Sequence, residues 1–251
     1  MVDAHDHRVL VPVDVLGGES VPTALIDAFA SVPVVLLGYR VLPDQTAPEQ
    51  ARSRFESRAR AELEELRTVF EDAGGDVSTR LVFTHSRLKT FERVALEDGC
   101  DAVLLVNPAP TLERVLVAIR GDANVESIAR LVAAVFADTG VDVTLFHVAD
   151  DEDRGRGRAC LETAAEALVE HGVDRDGIDV TVVDGSPTDA ILEAAADHDL
   201  LVVGESRPSL RRRIFRDRAE RLAKRSIDPV LVIRRPYLTA EAASSEDDRS
   251  P

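Results

Sequence analysis

The chain has 251 residues, and 45% of them are apolar, so it can bury a sizeable core and is not a disordered protein. Its 46 acidic side chains outnumber its 30 basic ones and give a net charge of −16, which disfavours binding to nucleic acid or to an anionic membrane surface. No apolar stretch is long enough to cross a membrane, residues 1–8 lack the basic start of a signal peptide, and two cysteines without a CxxC motif cannot form a disulfide framework. We therefore expect a soluble, cytoplasmic protein.

The basic residues are unusual in kind. Only Lys89 and Lys224 are lysines, and the other 28 are arginines. An acidic, lysine-poor surface is typical of proteins from a salt-rich cytoplasm, where screening relieves self-repulsion and the net charge maintains solubility. A halophilic source is one interpretation, and an acidic protein from a GC-rich genome is the other.

Along the chain, short apolar runs alternate with amphipathic stretches. The runs are rich in Val, Ile and Leu on both faces, as parallel strands covered by helices are. They are VLVPV (9–13), VPVVLLGY (32–39), VSTRLVF (77–83), AVLLV (102–106), RVLVAI (114–119), VDVTLFHV (141–148), IDVTVV (178–183), DLLVVG (199–204) and PVLVIR (229–234). Helical spacing of apolar residues over 49–72, 122–138 and 159–171, each followed by glycine, predicts long helices there. This alternation predicts an α/β protein with a mostly parallel sheet.

The chain also repeats itself. VLVPVD (9–14) aligns with VLVAIR (115–120), and ALEDGCDAVLLVN (95–107) aligns with LEAAADHDLLVVG (192–204). The second repeat continues into a further helix, at about 209–226, and a fifth strand, whereas the first ends at a two-proline connector. We predict two tandem doubly wound parallel-sheet domains over 1–108 and 111–236. The first lacks its last helix–strand unit, and an acidic disordered tail spans 237–251.

In a doubly wound sheet, ligands bind at the carboxyl ends of the strands, so the residues there are the candidate site. Asp14 ends the first strand and Gly204 ends the strand LLVV. The chain has no GxxxxGK[ST], GxGxxG or GxSxG motif. The acids and histidines of residues 3–7 are a weak metal candidate on a terminus, and we predict no metal site. We interpret His147 as a half-buried residue with satisfied hydrogen bonds.

Three segments resemble the universal stress protein family: VLVPVD (9–14), GSPTDAILEAAADHDLLVVG (185–204) and AERLAKRSIDPVLVIRR (219–235). The resemblance covers nearly all of the second repeat and parts of the first. It implies a tandem member with the adenine nucleotide alpha hydrolase-like fold, in which each domain has five parallel strands. It also implies dimerisation through the last strand. Many family members bind ATP through a G-x2-G-x9-G-[S/T] loop and an Asp after the first strand.

The second repeat departs from that loop pattern. Gly204 matches its first glycine, but Arg207 stands at the second. With the next segment one residue short, Arg216 falls at the third glycine and Asp217 at the Ser/Thr. An arginine side chain fills space that phosphates need, and an aspartate repels them.

The Asp and the loop are also divided between the repeats. Arg120 replaces the strand-one Asp in the second repeat, whereas the first keeps Asp14 but has Asn107 where its loop should start. The resemblance therefore implies a degenerate ATP site in both domains. The alternative is that ATP or AMP binds in an altered pose through Asp14, Gly204, Arg207 and Ser209, and Arg216 and Asp217 at the remaining loop positions are also candidate nucleotide-binding residues.

One segment is basic within this acidic chain. Residues 204–235 hold eleven bases against four acids and carry +7, while the remainder carries −23. Such an island could recognise phosphate or another anion through guanidinium groups. Alternatively, its arginines pair with acids on the same helix, on the first domain or across a dimer interface.

We predict a non-enzymatic stress-response or regulatory protein with a degenerate nucleotide site. The alternatives are an ATP- or AMP-binding universal stress protein and a cytoplasmic regulatory partner of a membrane transporter. Because the last strand, 229–234, is apolar and has no counterpart in the first domain, we expect it to pair across a homodimer. Cover by a loop or by the tail, 237–251, is the alternative.

Overall fold

The computed structural model describes residues 7–120, 125–149, 154–204 and 228–234. Its strands are β1 (Val9–Asp14), β2 (Val34–Val41), β3 (Val77–Thr84), β4 (Ala102–Leu105), β5 (Arg114–Ala118), β6 (Asp142–Ala149), β7 (Ile178–Asp184), β8 (Leu200–Gly204) and β9 (Val230–Ile233). Its α-helices are α1 (Thr23–Phe29), α2 (Pro48–Asp72), α3 (Arg87–Glu97), α4 (Val125–Phe136), α5 (Arg154–Glu170) and α6 (Pro187–Ala195). The α/β class is confirmed.

The helix predictions hold closely within these ranges. α2 fills the interval predicted for it, and the helices α2, α4 and α5 are each followed by a glycine with positive φ: Gly74 (+91°), Gly140 (+69°) and Gly172 (+100°). Gly74 and Gly172 lie two residues past α2 and α5, where a left-handed glycine ends a helix without a Cβ clash, whereas Gly140 lies in the turn that follows α4. The α5 helix begins at Arg154, five residues before its predicted start, because its first turns are arginine- and glycine-rich and carry little apolar signal.

The nine strands found in the described ranges form one sheet in the order β3-β2-β1-β4-β9-β8-β5-β6-β7. Every neighbouring pair is parallel except β4 and β9, which run antiparallel with Ala102 opposite Ile233 and Leu105 opposite Val230. The strands of the first half, β1–β4, therefore point one way and those of the second half, β5–β9, point the other. As a consequence, the carboxyl ends of β1–β4 lie along one side of the sheet, where these strands end, and the carboxyl ends of β5–β9 lie along the opposite side.

The two halves repeat one strand order, β3-β2-β1-β4 and β7-β6-β5-β8. Val9 lies opposite Ala102 in the first half, and Val115 lies opposite Leu200 in the second. The repeat therefore aligns Ala102 with Leu200. The sequence alignment of 95–107 with 192–204 was wrong by one residue, because two adjacent runs of aliphatic residues match almost equally well in either register.

The predicted pairing of residues 229–234 across a homodimer assumed that this strand lies at the edge of the sheet, and that assumption was wrong. β9 is not an edge strand, since it lies between β8 and β4 and its four residues are at most 1% exposed. Residues 7–110 of the first half form no fifth strand beside β4, and β9 of the same chain occupies that position in the antiparallel sense. The strand is thereby shared by both halves.

Helices cover both faces of the sheet. One core cluster draws on α1, α2, α4 and α5, and the other draws on α3 and α6. Both clusters contain residues from the two halves. Phe29 of α1 meets Phe136 of α4 edge-on, with ring centroids 6.2 Å apart, where the halves adjoin. The division into domains at 108–111 stays a prediction, and a single sheet runs through it.

Candidate functional site

Backbone geometry leaves a hydrogen-bond donor at the carboxyl end of β1. The N–H of Val9 bonds to Pro33 beside β2, so the N–H groups of even-numbered β1 residues face β4. Pro12 has no N–H, and β4 pairs with β1 only at Val9 and Leu10. The N–H of Asp14 thus points into the crevice beyond the paired part of β4. This is the switch point at which open α/β sheets bind ligands.

The acceptor for the Asp14 N–H is a side chain of the protein itself, that of Glu19. A carboxylate oxygen of Glu19, in the turn between β1 and α1, accepts the Asp14 N–H at 2.6 Å. The turn folds closely on the strand end, since Gly17 donates its N–H to the Asp14 carbonyl oxygen at 2.9 Å. A Cβ at Gly17 would lie 2.7 Å from Asp14 Cγ, so any larger residue there would force the Asp14 side chain to move. Nη1 of Arg40 lies 3.4 Å from both carboxylate oxygens of Asp14.

Two further side chains surround the Glu19 carboxylate. Tyr39, next to Asp14 in register, is buried and packs edge-on against Phe91 with centroids 5.0 Å apart. Arg87 begins α3 and interacts with Tyr39. Burial raises the pKa of Tyr39 to about 12, the Glu19 charge adds to this effect, and Arg87 opposes it.

The ionisation of Glu19 reflects the same surroundings. Partial desolvation of its carboxylate raises the pKa of Glu19, and the Asp14 charge raises it further. The hydrogen bond from the Asp14 backbone, the Arg87 charge and the Tyr39 hydroxyl act in the opposite direction. The two carboxylates and the guanidinium groups of Arg40 and Arg87 together make this a charge-balanced cluster. It is closed by contacts within the chain.

The second half keeps one residue of the family's nucleotide-binding pattern, Gly204, which lies on the opposite side of the sheet from Asp14. We call Asp14 and Gly204 the two remnants of that pattern. Gly204 ends β8, and a Cβ added there would lie 2.9 Å from Cδ1 of Ile128 in α4. A side chain at this position would therefore require the end of Ile128 to move, so packing of α4 on β8 favours glycine here. Arg120 follows β5 and is exposed.

The structure does not bring the predicted site together. β1 and β8 run in opposite directions, so Asp14 and Gly204 lie at opposite edges of the sheet. Asn107 donates from Nδ2 to the Asp228 carbonyl oxygen at 2.9 Å and so ties the end of β4 to the start of β9. The other predicted site residues, Arg207, Ser209, Arg216 and Asp217, lie outside the described residues, as do most of the basic island and the tail, 237–251.

Sequence reasoning missed Glu19, Tyr39, Arg40 and Arg87. Tyr39 and Arg40 could have been found by the rule already applied to Asp14, since they lie at the carboxyl end of the neighbouring strand. Glu19 and Arg87 lie in a turn and at a helix start that no periodicity marks. Only the fold shows that they meet.

His147 has the structural role expected of it. Its Nδ1 lies 2.8 Å from the carbonyl oxygen of Ile119, and its ring packs on Gly157, where a Cβ would come within 2.3 Å of the ring. The residue is 5% exposed, so it is fully buried instead of half-buried. In the part of the chain that the structure describes, no three His, Cys, Asp or Glu side chains gather as a metal site would need. The described helices also include none with the length and hydrophobicity of a membrane span.

Comparison with known protein families identifies a match for the second half of the chain. The universal stress protein family model matches residues 111–234, which are β5 to β9 with the segments between them. These residues form a universal stress protein domain. No protein of curated function matches the sequence.

Solved structures extend the likeness of fold to the whole chain. A universal stress protein from Archaeoglobus fulgidus DSM 4304 has a TM-score of 0.63 and 16% identity, covering 92% of this chain and 97% of that one. The cytoplasmic domain of a prokaryotic cation chloride cotransporter has a TM-score of 0.51 and 15% identity, covering 90% and 95%. A universal stress protein in complex with cAMP covers 51% of this chain and 100% of its own, with a TM-score of 0.43 and 22% identity. The first two cover both halves, so the first half shares the universal stress protein fold.

Proposed function

We propose that this chain is a non-enzymatic, regulatory universal stress protein whose nucleotide site is degenerate in both halves. The observation that carries the proposal is the position of the two remnants. Asp14 and Gly204 lie at opposite edges of the sheet, so neither half has both the strand-one Asp and the first loop glycine.

Each remnant also has a role within the protein. The backbone donor of Asp14 binds Glu19, and its carboxylate lies beside Arg40. Gly204 makes room for Ile128. Because these contacts already account for both residues, neither points to catalysis or to phosphate binding. We therefore favour a mode of action through contacts with other proteins over one through a bound nucleotide.

Nucleotide titration tests the proposal directly. We expect neither ATP nor AMP at millimolar concentration to raise the melting temperature in molar KCl, and we expect no nucleotide among small molecules released from the denatured protein. A ligand present at 100 times its Kd would stabilise the folded state by about 2.7 kcal/mol, which is easily measured. Such a shift would overturn the proposal in favour of an ATP- or AMP-binding protein. Loss of this melting-temperature shift in Asp14→Ala or in Arg120→Ala would show which half binds the nucleotide.

The fold shared with the cotransporter's cytoplasmic domain favours a second candidate, a cytoplasmic regulatory partner of a membrane transporter. Cross-linking in intact cells, followed by mass spectrometry, tests this role. We expect an integral membrane transporter among the cross-linked proteins. Recovery of soluble proteins alone would contradict the second candidate and leave the first in place.

A further inference from the structure

The crevice beyond β1 is built to hold a carboxylate. The Asp14 N–H is directed away from β2, and β4 does not extend far enough to accept it. No strand accepts this N–H, and the hydrogen bond that it makes is exposed, so it is available to an acceptor from outside the sheet. In this structure the acceptor is the Glu19 carboxylate, at a distance of 2.6 Å, which is short for a hydrogen bond from a backbone amide.

Groups from two other elements complete the surroundings of that carboxylate. The Tyr39 hydroxyl on β2 and the Arg87 guanidinium at the start of α3 both interact with Glu19. Tyr39 is fixed in place by burial and by its contact with Phe91. Rigid elements of the fold therefore hold these two groups near the site, whereas the carboxylate comes from a turn.

The turn that carries Glu19 is suited to move. Residues 17–20 are exposed, and Gly18 has a φ of +74°, which glycine adopts without strain. Glu19 therefore resembles a tethered ligand more than a fixed part of the site. A tethered group competes with free ligands at an effective concentration in the millimolar range.

We propose that this crevice is a binding site for a small-molecule carboxylate, and that Glu19 is an internal carboxylate which occupies the site until the ligand displaces it. Charge favours a monoanion. With Glu19 displaced, Arg40 and Arg87 face the single charge of Asp14, which leaves a net charge of +1. A phosphate dianion would be repelled by Asp14 more strongly than a carboxylate.

The test uses acetate as the probe, at constant ionic strength in KCl, with the full-length protein. In Glu19→Ala we expect acetate to bind with a Kd at least tenfold lower than in the wild type. The ¹H–¹⁵N resonance of Asp14 reports directly on the site, and it should shift and saturate during the titration. Asp27→Ala removes another exposed acid, on α1, and is the matched control that should behave as the wild type does.

A second variant locates the donors. Arg87→Ala in the Glu19→Ala background should abolish the gain in affinity. Glu19→Gln keeps the side chain's size and removes its charge; if Glu19→Ala fails to fold, it tests the same competition with a smaller expected gain, because its amide oxygen can still accept the Asp14 N–H. Equal acetate affinity in the wild type, Asp27→Ala and the Glu19 variants would overturn the proposal. Acetate binding that leaves the Asp14 resonance unchanged would overturn it as well.

The outcome is independent of nucleotide binding. Acetate has no base or phosphate, so its titration does not depend on the family's ATP loop. ATP binding would refute the proposal of a degenerate nucleotide site and leave the carboxylate site standing. Failure of acetate to bind as expected would refute the carboxylate site and leave the proposal of a degenerate nucleotide site standing.

Discussion

Arg234 donates a hydrogen bond from Nη1 to the carbonyl oxygen of Cys100 at 2.5 Å, and a second to that of Ala95 at 3.1 Å. Its own N–H bonds to the Asp101 carbonyl oxygen at 2.7 Å. Arg234 follows β9, whereas its three acceptors lie at the end of α3 and in the turn that leads to β4. Because a helix end presents carbonyl groups with partial negative charge, a buried guanidinium is stabilising there. This contact joins the second half to the first.

Removing that guanidinium should loosen the junction between the halves. We expect Arg234→Ala to lower the free energy of unfolding by about 2–4 kcal/mol, since it leaves buried carbonyl oxygens without their charged donor. Urea denaturation at constant KCl concentration measures the change. Arg58→Ala removes an exposed arginine paired with Glu62 on α2 and is the control, with an expected loss within about 0.5 kcal/mol. Equal losses in the two variants would contradict a junction role for Arg234.

The shared strand makes a different prediction for Val232. This residue is fully buried between β4 and β8. Val232→Glu should therefore unfold the chain, because an unpaired charge cannot be accommodated in the core. Val232→Ala should cost about 2–3 kcal/mol through the lost methyl groups and the cavity they leave. Circular dichroism and sedimentation velocity check this together. A folded Val232→Glu protein with an altered sedimentation coefficient would instead show that the strand is an interface between chains.

Substitutions at Gly204 test whether this glycine is explained by packing on Ile128 or by a role in ligand binding. We expect Gly204→Ala to destabilise the protein by about 1–3 kcal/mol, because its Cβ would overlap Cδ1 of Ile128. Ile128→Val deletes that atom, so the double variant should recover most of the loss, and a double-mutant cycle of unfolding free energies measures the coupling. Gly155→Ala, in α5 with open space around it, is the control and should be neutral or stabilising. Independent, additive losses would mean that Ile128 is not the reason for the glycine.

Local pattern was enough to predict most of the fold. Strand runs such as VPVVLLGY and the helix over 49–72 were predictable because continuous apolar runs and helical spacing are properties of neighbouring residues. The two-fold repeat was visible for the same reason. The place of β9 was not, because PVLVIR has the same sequence signal whether it pairs with a second chain or with β4 of its own.

The candidate site was predictable only in part. Asp14 was found because it ends a strand, and Gly204 for the same reason. Their separation follows from the antiparallel junction of β4 and β9, and it depends on pairing between residues more than 120 positions apart. The charge of Arg87 acts on Glu19 only when the sheet and α3 are assembled, so no spacing in the sequence could have predicted this interaction.

Tyr39 can report on the Glu19 contact in solution. The chain has two tyrosines, and Tyr237→Phe leaves Tyr39 as the only phenol. Absorbance at alkaline pH should then show a pKa of about 12, against 10.0 for an unperturbed tyrosine, because burial and the Glu19 charge both oppose ionisation. The unfolded chain loses its phenolic proton near pH 10, while the folded state keeps it. The free energy of unfolding should accordingly fall as pH rises from about 10 towards 12.

Variants around Tyr39 separate the causes of this shift. Glu19→Gln removes the negative charge and should lower the pKa of Tyr39, although the pKa should stay above 10.0 because burial is the larger cause. Arg87→Ala should raise it, since that guanidinium favours the phenolate. Asp27→Ala, on the exposed side of α1, should leave it unchanged. A pKa of 10 in the Tyr237→Phe protein, or one insensitive to Glu19→Gln, would contradict the arrangement of Glu19, Tyr39 and Arg87 in the crevice.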